Sequence, residues 1–322
     1  MAIVGGSGFV GSSLAEHLSD HFSVTIVDKV QPTVPGAFKI CDIRDADSLR
    51  RTLQGFDLVV NTAIVQIPAI NEKKRLGYEV NVLGTQNICE AVEGIDSIKG
   101  LIHASSWHVF GERHIRGLLD EESGYYPDKV EERAKLYAAC KISQETIVRI
   151  TSEMSSKSHA IVRLGTILGE GMPPGTAASI FIDNALKGLP MTPFAHALHR
   201  PMLYVDLGDV CKAFESLAFR ILDNDPVDSE TPTIVNLFCP PPLTIIELAR
   251  IVQKKVIKLT RGAESPKIRI VDKGTKPIYT SRDKRLFTVD VSRARRLLRN
   301  DRLISPSQSI ELILMKRMRA MD

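Results

Sequence analysis

The sequence predicts an α/β fold: a parallel sheet covered on both faces by helices, followed by a smaller C-terminal lobe. Three observations predict it. Over the first 165 residues, short apolar or β-branched runs alternate with segments of helical spacing, which is the pattern of a doubly covered parallel sheet. The first run leads straight into glycines. After about residue 165 the alternation stops at a Gly- and Pro-rich stretch, 169–175, and the later elements are less regular. Residues 1–165 are therefore read as one domain, with some later segments returning to it, and 166–322 as the second lobe.

The elements follow in order. Ala2-Ile-Val4 is a short apolar strand. Phe9, Val10, Leu14 and Leu18 stand near helical spacing and predict a helix over 9–19. Strands are read at 23–28, 38–41 and 57–61, with a helix at 45–53 that Asp45 caps. Long helices at 72–93 and 129–154 alternate with strands at 99–104 and 159–164. The second lobe is read as helices 177–187 and 206–222, a strand at 234–238, a helix at 244–258, a strand near 268–271, and helices 292–299 and 306–318. Asp206 reads as a helix cap.

Bulk properties narrow the function. Hydrophobic residues make up 43% of the chain and charged residues 25%, values that fit a globular protein with an ample core. The 42 basic residues nearly balance the 38 acidic ones. That balance argues against a nucleic-acid partner, and Lys316-Arg317-Met318-Arg319 reads as a solvated helix end. The small positive excess gives at most weak help in capturing a phosphorylated substrate. The five cysteines (Cys41, Cys89, Cys140, Cys211, Cys239) are scattered and odd in number, so free buried thiols in a reducing compartment are expected. No apolar run of about 18 residues suggests a membrane span, and no leader is read at the N-terminus. A cytoplasmic protein is expected. The eight histidines show no metal-ligand spacing.

Gly5, Gly8 and Gly11 lie between the first strand and the first helix. Glycines there let the backbone approach a pyrophosphate, while the helix opened by Phe9 and Val10 stabilises its charge. Asp28, at the end of the second strand, suits the ribose hydroxyls of an adenosine and repels a 2′-phosphate, so NAD is favoured over NADP. Asp42 and Ile43 either contact the adenine or, for Asp42, cap a helix. Tyr137 and Lys141 are four apart and share a helix face. A cation beside the phenol is expected to lower its pKa from about 10. The pair is a proton-transfer device.

These motifs, with Asn61-Thr-Ala63, Val80-Asn81-Val-Leu-Gly84-Thr85, Ser105-Ser106-x-x-Val-Phe-Gly111, Val162-Arg163-Leu-Gly-Thr-Ile-Leu-Gly169 and His199-Arg200-Pro-Met-Leu-Tyr-Val-Asp206, resemble the extended short-chain dehydrogenase/reductases. The resemblance covers nearly the whole chain and thins beyond residue 260. It implies a Rossmann-type doubly wound parallel sheet with bound NAD, a smaller C-terminal α/β substrate lobe, and a homodimer built through the two long helices. It further implies that Ser106 bonds the reacting oxygen, that Tyr137 is the acid/base, and that Lys141 holds the nicotinamide ribose. Asn61, Ala63 and Asn81 would line or support the cofactor path.

The chain departs from the family pattern in three places. Trp107-His108 stands where dehydratases carry Asp-Glu, which disfavours elimination of water and leaves His108 as a substrate ligand, a proton donor or part of the wall. Thr166 replaces an asparagine. The stretch before His199-Arg200 lacks the usual glycine-rich turn. Arg200 is the candidate clamp for a substrate diphosphate, whereas Arg282 and Arg285 read as surface residues. The expected activity is that of an NAD-dependent nucleotide-sugar epimerase passing through a 4-keto intermediate. The alternatives are a dehydrogenase or reductase of a free sugar, uronate or other alcohol, and a non-catalytic dinucleotide-sensing protein.

Overall fold

A computed structural model describes residues 1–225, 232–300 and 302–320. The chain runs β1 (Ala2–Val4), α1 (Phe9–Leu18), β2 (Thr25–Asp28), β3 (Ala37–Ile40), α2 (Ala46–Thr52), β4 (Leu58–Asn61), α3 (Ala69–Glu72), α4 (Lys74–Tyr78), α5 (Gly84–Glu93), β5 (Gly100–Ser106), β6 (Gly117–Leu119), α6 (Lys135–Glu153) and β7 (Ser158–Leu164). It continues with β8 (Thr166–Leu168), α7 (Ala177–Leu186), β9 (Pro201–Asp206), α8 (Leu207–Asp223), β10 (Thr233–Leu237), β11 (Cys239–Thr244), α9 (Ile245–Leu259), β12 (Phe287–Val289), α10 (Ser292–Leu298) and α11 (Pro306–Arg319).

Seven strands form one sheet in the order β3-β2-β1-β4-β5-β7-β10, and every neighbouring pair is parallel. This is the Rossmann-type arrangement. Strand order reverses at β1, so a crevice opens beyond the carboxyl ends of β1 and β4, where ligands of such sheets bind. Every residue of β1, β4 and β5 is buried, as expected for strands with helices on both faces. Two apolar clusters fill those faces, one containing Leu14 and Leu18 of α1, the other Leu49, Ile88 and Val92 of α2 and α5. Each such leucine contributes about 1.5–3 kcal/mol. β3 lies at the sheet edge and is correspondingly exposed.

β10 returns to the large sheet beside β7. The smaller lobe has its own three-stranded sheet, β11-β9-β8, and β12 pairs with β6. Asp206 caps α8 by accepting from the Gly208 N–H at 2.8 Å. The expected helix over 72–93 is instead α4, a π-helical turn at Glu79–Leu83, and α5. Asn81 sits in that wide turn. The helix expected from 129 starts at Lys135, after short 3₁₀ turns. The expected strand at 268–271 makes isolated bridges only, Met191 with Ile268 and Phe194 with Val271. All five cysteines are free and buried. Among the described residues no helix is long and apolar enough to cross a membrane.

Candidate active site

The glycine turn connects β1 to α1. Gly5 has φ +77°, and a β-carbon there would stand 2.4 Å from the Ala63 nitrogen; at Gly11 it would stand 2.4 Å from the Gly5 carbonyl oxygen. Both glycines are demanded by packing. Gly8 differs: it is exposed, and a β-carbon would meet nothing closer than the Gly5 oxygen at 3.4 Å. Its missing side chain leaves a bare surface at the start of α1. That helix has neither a side-chain cap nor an acidic residue in its first turn, so its N–H groups and dipole face the cleft.

A cleft of about 310 Å³ opens there, lined by Gly5, Gly8, Phe9, Val10, Gly11, Asp28, Asp42, Ile43 and Ala63. Val65, Gln66 and Pro173, not singled out in the sequence, also line it. Asp28 accepts from the N–H groups of Ser7 and Val30, each at 3.1 Å, and keeps lone pairs for a further donor. Asp42 is held by Arg44, with a shortest contact of 2.6 Å; this pairing keeps its carboxyl below the usual range. Its carboxylate is thus committed, and the cap of α2 is Asp45, which accepts from Ser48 N at 2.9 Å.

Asn61 and Asn81 are fully buried. Asn61 accepts from the Ala63 N–H at 3.0 Å. Asn81 grips both backbone groups of Val65, at 2.7 and 3.1 Å. They shape the cleft wall from behind and do not line it.

A second cluster stands at the carboxyl end of β5. Alternation along the strand sends Ser105 and Ser106 to opposite faces. Ser105 donates to Glu145 at 2.5 Å, and Glu145 also binds Tyr125 and the buried Arg163. Ser106 faces the other way, toward His108, whose ring in turn meets Tyr137. Tyr137 and Lys141 lie on α6, with Lys141 donating to the Ala104 carbonyl at 2.7 Å. Burial pushes the Tyr137 phenol up to about 12, opposed by hydrogen bonding with Ser106. Burial pushes Lys141 down to about 7, opposed by Glu145. Lys141 does not lower the phenol: its ammonium points at Ala104, and burial raises Tyr137.

His108, read from the sequence as a substrate ligand, a proton donor or part of the wall, stands beside them. Its Nδ1 is 3.0 Å from Ser106 Oγ, its Nε2 is 3.6 Å from Glu112, and its ring meets Tyr137 edge-on at 5.5 Å. Burial, then Arg133 and Arg200, holds it down to about 3, so the imidazole is neutral. Thr166 accepts from the Trp107 indole at 3.4 Å.

Behind His108 lies an ionic network with no sequence signature. Glu112 accepts from Arg133 at 2.6 Å and from the Glu131 N–H at 3.0 Å. Glu131 accepts from Arg200 at 2.7 Å and from Tyr279 at 2.8 Å. Arg200 was expected to be free for a phosphate. Its Nε donates to Glu131, an internal counter-charge for a largely buried guanidinium. Arg282 and Arg285 are exposed.

The bare Gly8, the uncapped helix start and the spare lone pairs of Asp28 fit the adenosine and pyrophosphate of a dinucleotide. A putative UDP-glucose 4-epimerase of Methanocaldococcus jannaschii is 28% identical over 66% of this chain and 70% of its own length. An undecaprenyl-diphosphate-linked N-acetylglucosamine 4-epimerase of Escherichia coli O157:H7 is 37% identical over 52% of this chain and 49% of its own length. A D-erythronate dehydrogenase of Haemophilus influenzae is 28% identical over 58% and 61%. Among solved structures, MoeE5 in complex with UDP-glucuronic acid and NAD superposes with a TM-score of 0.78 at 19% identity, covering 99% of both chains. The UDP-glucose 4-epimerase of Thermotoga maritima with UDP-glucose gives 0.77 at 18%, covering 100% of this chain and 99% of its own. The NAD dependent epimerase/dehydratase family model matches residues 1–226, and the chain belongs to that family.

Proposed function

We propose that the protein is an NAD-dependent epimerase of a nucleotide sugar, acting by transient oxidation of a sugar hydroxyl. The observation that supports it most is the gathering of Ser106, His108 and Tyr137 beyond the end of β5, beside a cleft suited to a dinucleotide. When bound, NAD supplies a hydride acceptor that later returns the hydride. Gly8 and the start of α1 receive the pyrophosphate, Asp28 the ribose hydroxyls, and Lys141 turns from Ala104 to the second ribose. Ser106 holds the sugar oxygen. Tyr137, as phenolate, takes its proton and gives it back once the 4-keto sugar has presented its other face. Residues 1–165 with the returning β10 serve the dinucleotide and the remainder the sugar. A homodimer through α5 and α6 suits the exposed Ile150 of α6 and Met154 at its C-terminal end.

The test is incubation of the protein with NAD and UDP-glucose. An epimerase yields the 4-epimer with no net change in NADH absorbance; no epimer from any of a panel of UDP-sugars overturns the reading. A second reading, net oxidation of a smaller alcohol, draws support from the Arg200–Glu131 pair, which engages the Nε of the expected diphosphate clamp. It predicts accumulating NADH, and an Arg200→Ala variant whose KM for the alcohol is unchanged.

A further inference from the structure

We propose that the outer face of α9 and α11 docks on an anionic lipid bilayer. The near balance of charge over the whole chain hides a lopsided distribution. Residues 244–322 carry 20 basic and 8 acidic residues, which leaves 22 basic and 30 acidic in residues 1–243. Charge separated this far along a chain points to an anionic partner for the basic part. Within that part, α9 and α11 pack side by side and gather the charge on one face.

Exposure along the two helices follows one spacing. On α9 it falls on Arg250, Lys254, Ile257 and Lys258. On α11 it falls on Gln308, Leu312, Met315 and Lys316, with Arg319 one turn further. Each set of four runs i, i+4, i+7, i+8, a single stripe of an α-helix. Neither stripe holds an acidic residue. Lys258 donates to Glu311 at 2.7 Å, and Lys255 donates to the same carboxylate at 2.5 Å. Glu311 immediately precedes Leu312 and stands one turn before Met315, so this bridge draws the two stripes together along a seam.

The helices are fixed to the lobe by their other sides. In α11, Ser305 and Gln308 form a capping box, Ile310, Ile313 and Leu314 are buried, and Arg317 turns inward to Glu170 at 3.1 Å. Leu312 nonetheless stands 57% exposed, with Met315 exposed on the same stripe and Ile257 on the other. Arg250, Lys254, Lys316 and Arg319 hold no ion pair among the described residues. The aliphatic members decide which anion fits. Cations meet a nucleic-acid backbone and aromatic rings meet its bases; Ile257, Leu312 and Met315 serve neither. A bilayer takes both kinds of side chain at once. Aliphatic groups enter the headgroup boundary while the lysines and arginines around them meet anionic headgroups.

The test is flotation of the full chain with vesicles, either of phosphatidylcholine alone or of equal parts phosphatidylcholine and phosphatidylglycerol. Binding is expected to the mixed vesicles only. Each cation lost from the face should weaken it about fivefold, so Lys254→Gln, Lys316→Gln and Arg319→Gln combined should weaken it about a hundredfold. Leu312→Asn keeps every charge and should weaken it about tenfold through the lost apolar contact. Arg282→Gln with Arg285→Gln removes two exposed cations of the same lobe outside the stripes and should leave binding nearly unchanged. No binding to the mixed vesicles overturns the proposal, including where the chain is instead retained by duplex DNA or by an acidic protein. An unchanged Leu312→Asn, or losses per charge as large in the Arg282 and Arg285 variant as in the triple variant, means adsorption of a cation-rich lobe without a docking face and overturns it too. The assay uses neither NAD nor sugar, so its outcome is separate from that of the proposed function.

Discussion

The two ends of the site are built by different means. The dinucleotide end is written in backbone: two glycines that packing requires, one that leaves a surface bare, and a helix start without a cap. Its pieces fall within the first turn of one strand–helix unit, plus Asp28 at the end of the next strand. The reactive end is written in side chains from separate segments: Ser106 and His108 after β5, Glu112, Glu131 and Arg133 from the connection to α6, Tyr137 from α6, and Arg200 and Tyr279 from the second lobe. The first end depends on local conformation. The second depends on charges that compensate one another away from water.

The sharpest way to separate the two ends is Tyr137→Phe. Turnover is expected to fall by about 10³-fold, within the range for a positioned acid/base, while NAD affinity measured by calorimetry stays near wild type. Equal losses in both quantities would mean the two ends are not separate units. Next in size is Arg200→Ala. Removing one partner of a buried pair costs about 3–5 kcal/mol, here toward the lower figure because Arg133 and Tyr279 remain on Glu131. Urea unfolding reads this directly, and an unchanged midpoint would show that the network does not hold the lobe. Asp28→Ala comes third. It should weaken NAD by about tenfold, the worth of one charge-assisted hydrogen bond, and narrow the preference over NADP, with stability nearly constant.

The same contrast explains what the sequence could tell. Gly5, Gly8 and Gly11 are legible because a strand–turn–helix imposes its own glycine spacing, and Asp28 because a strand end fixes its place. Tyr137 and Lys141 are legible as a spacing, but their charge states are not. Spacing says nothing of desolvation, and desolvation raises the phenol to about 12 and lowers the lysine to about 7. Arg200 was read as a candidate diphosphate clamp, yet its partner Glu131 lies 69 residues earlier in the chain, beyond the reach of any local pattern. The wide turn at Glu79–Leu83 was likewise hidden, since helical periodicity runs across it. β6 and β12 carry no strand signal of their own and pair across 170 residues of chain, Gly117 with Phe287.

The smallest expected effect concerns acid, and it belongs to the core and the reactive end. Burial holds His103, His108 and His159 below the ordinary imidazole value of 6.5. No histidine lines the dinucleotide cleft. As pH falls through about 6.5, these rings take protons in the unfolded chain and stay neutral in the folded one. The unfolded state then binds more protons, so stability declines as pH drops, by up to about 1.4 kcal/mol per pH unit for each fully shifted group. For His108 the loss continues down to about 3. Glu112, Glu121 and Asp209 have the opposite sign: burial raises their carboxyls, so the folded chain protonates first and recovers part of the loss at lower pH. The urea midpoint should therefore fall between about pH 7 and about pH 5.5, and His108→Asn should shrink that fall. A fall of the same size in the variant would assign the acid sensitivity to His103 and His159, inside the sheet, and detach it from the reactive end.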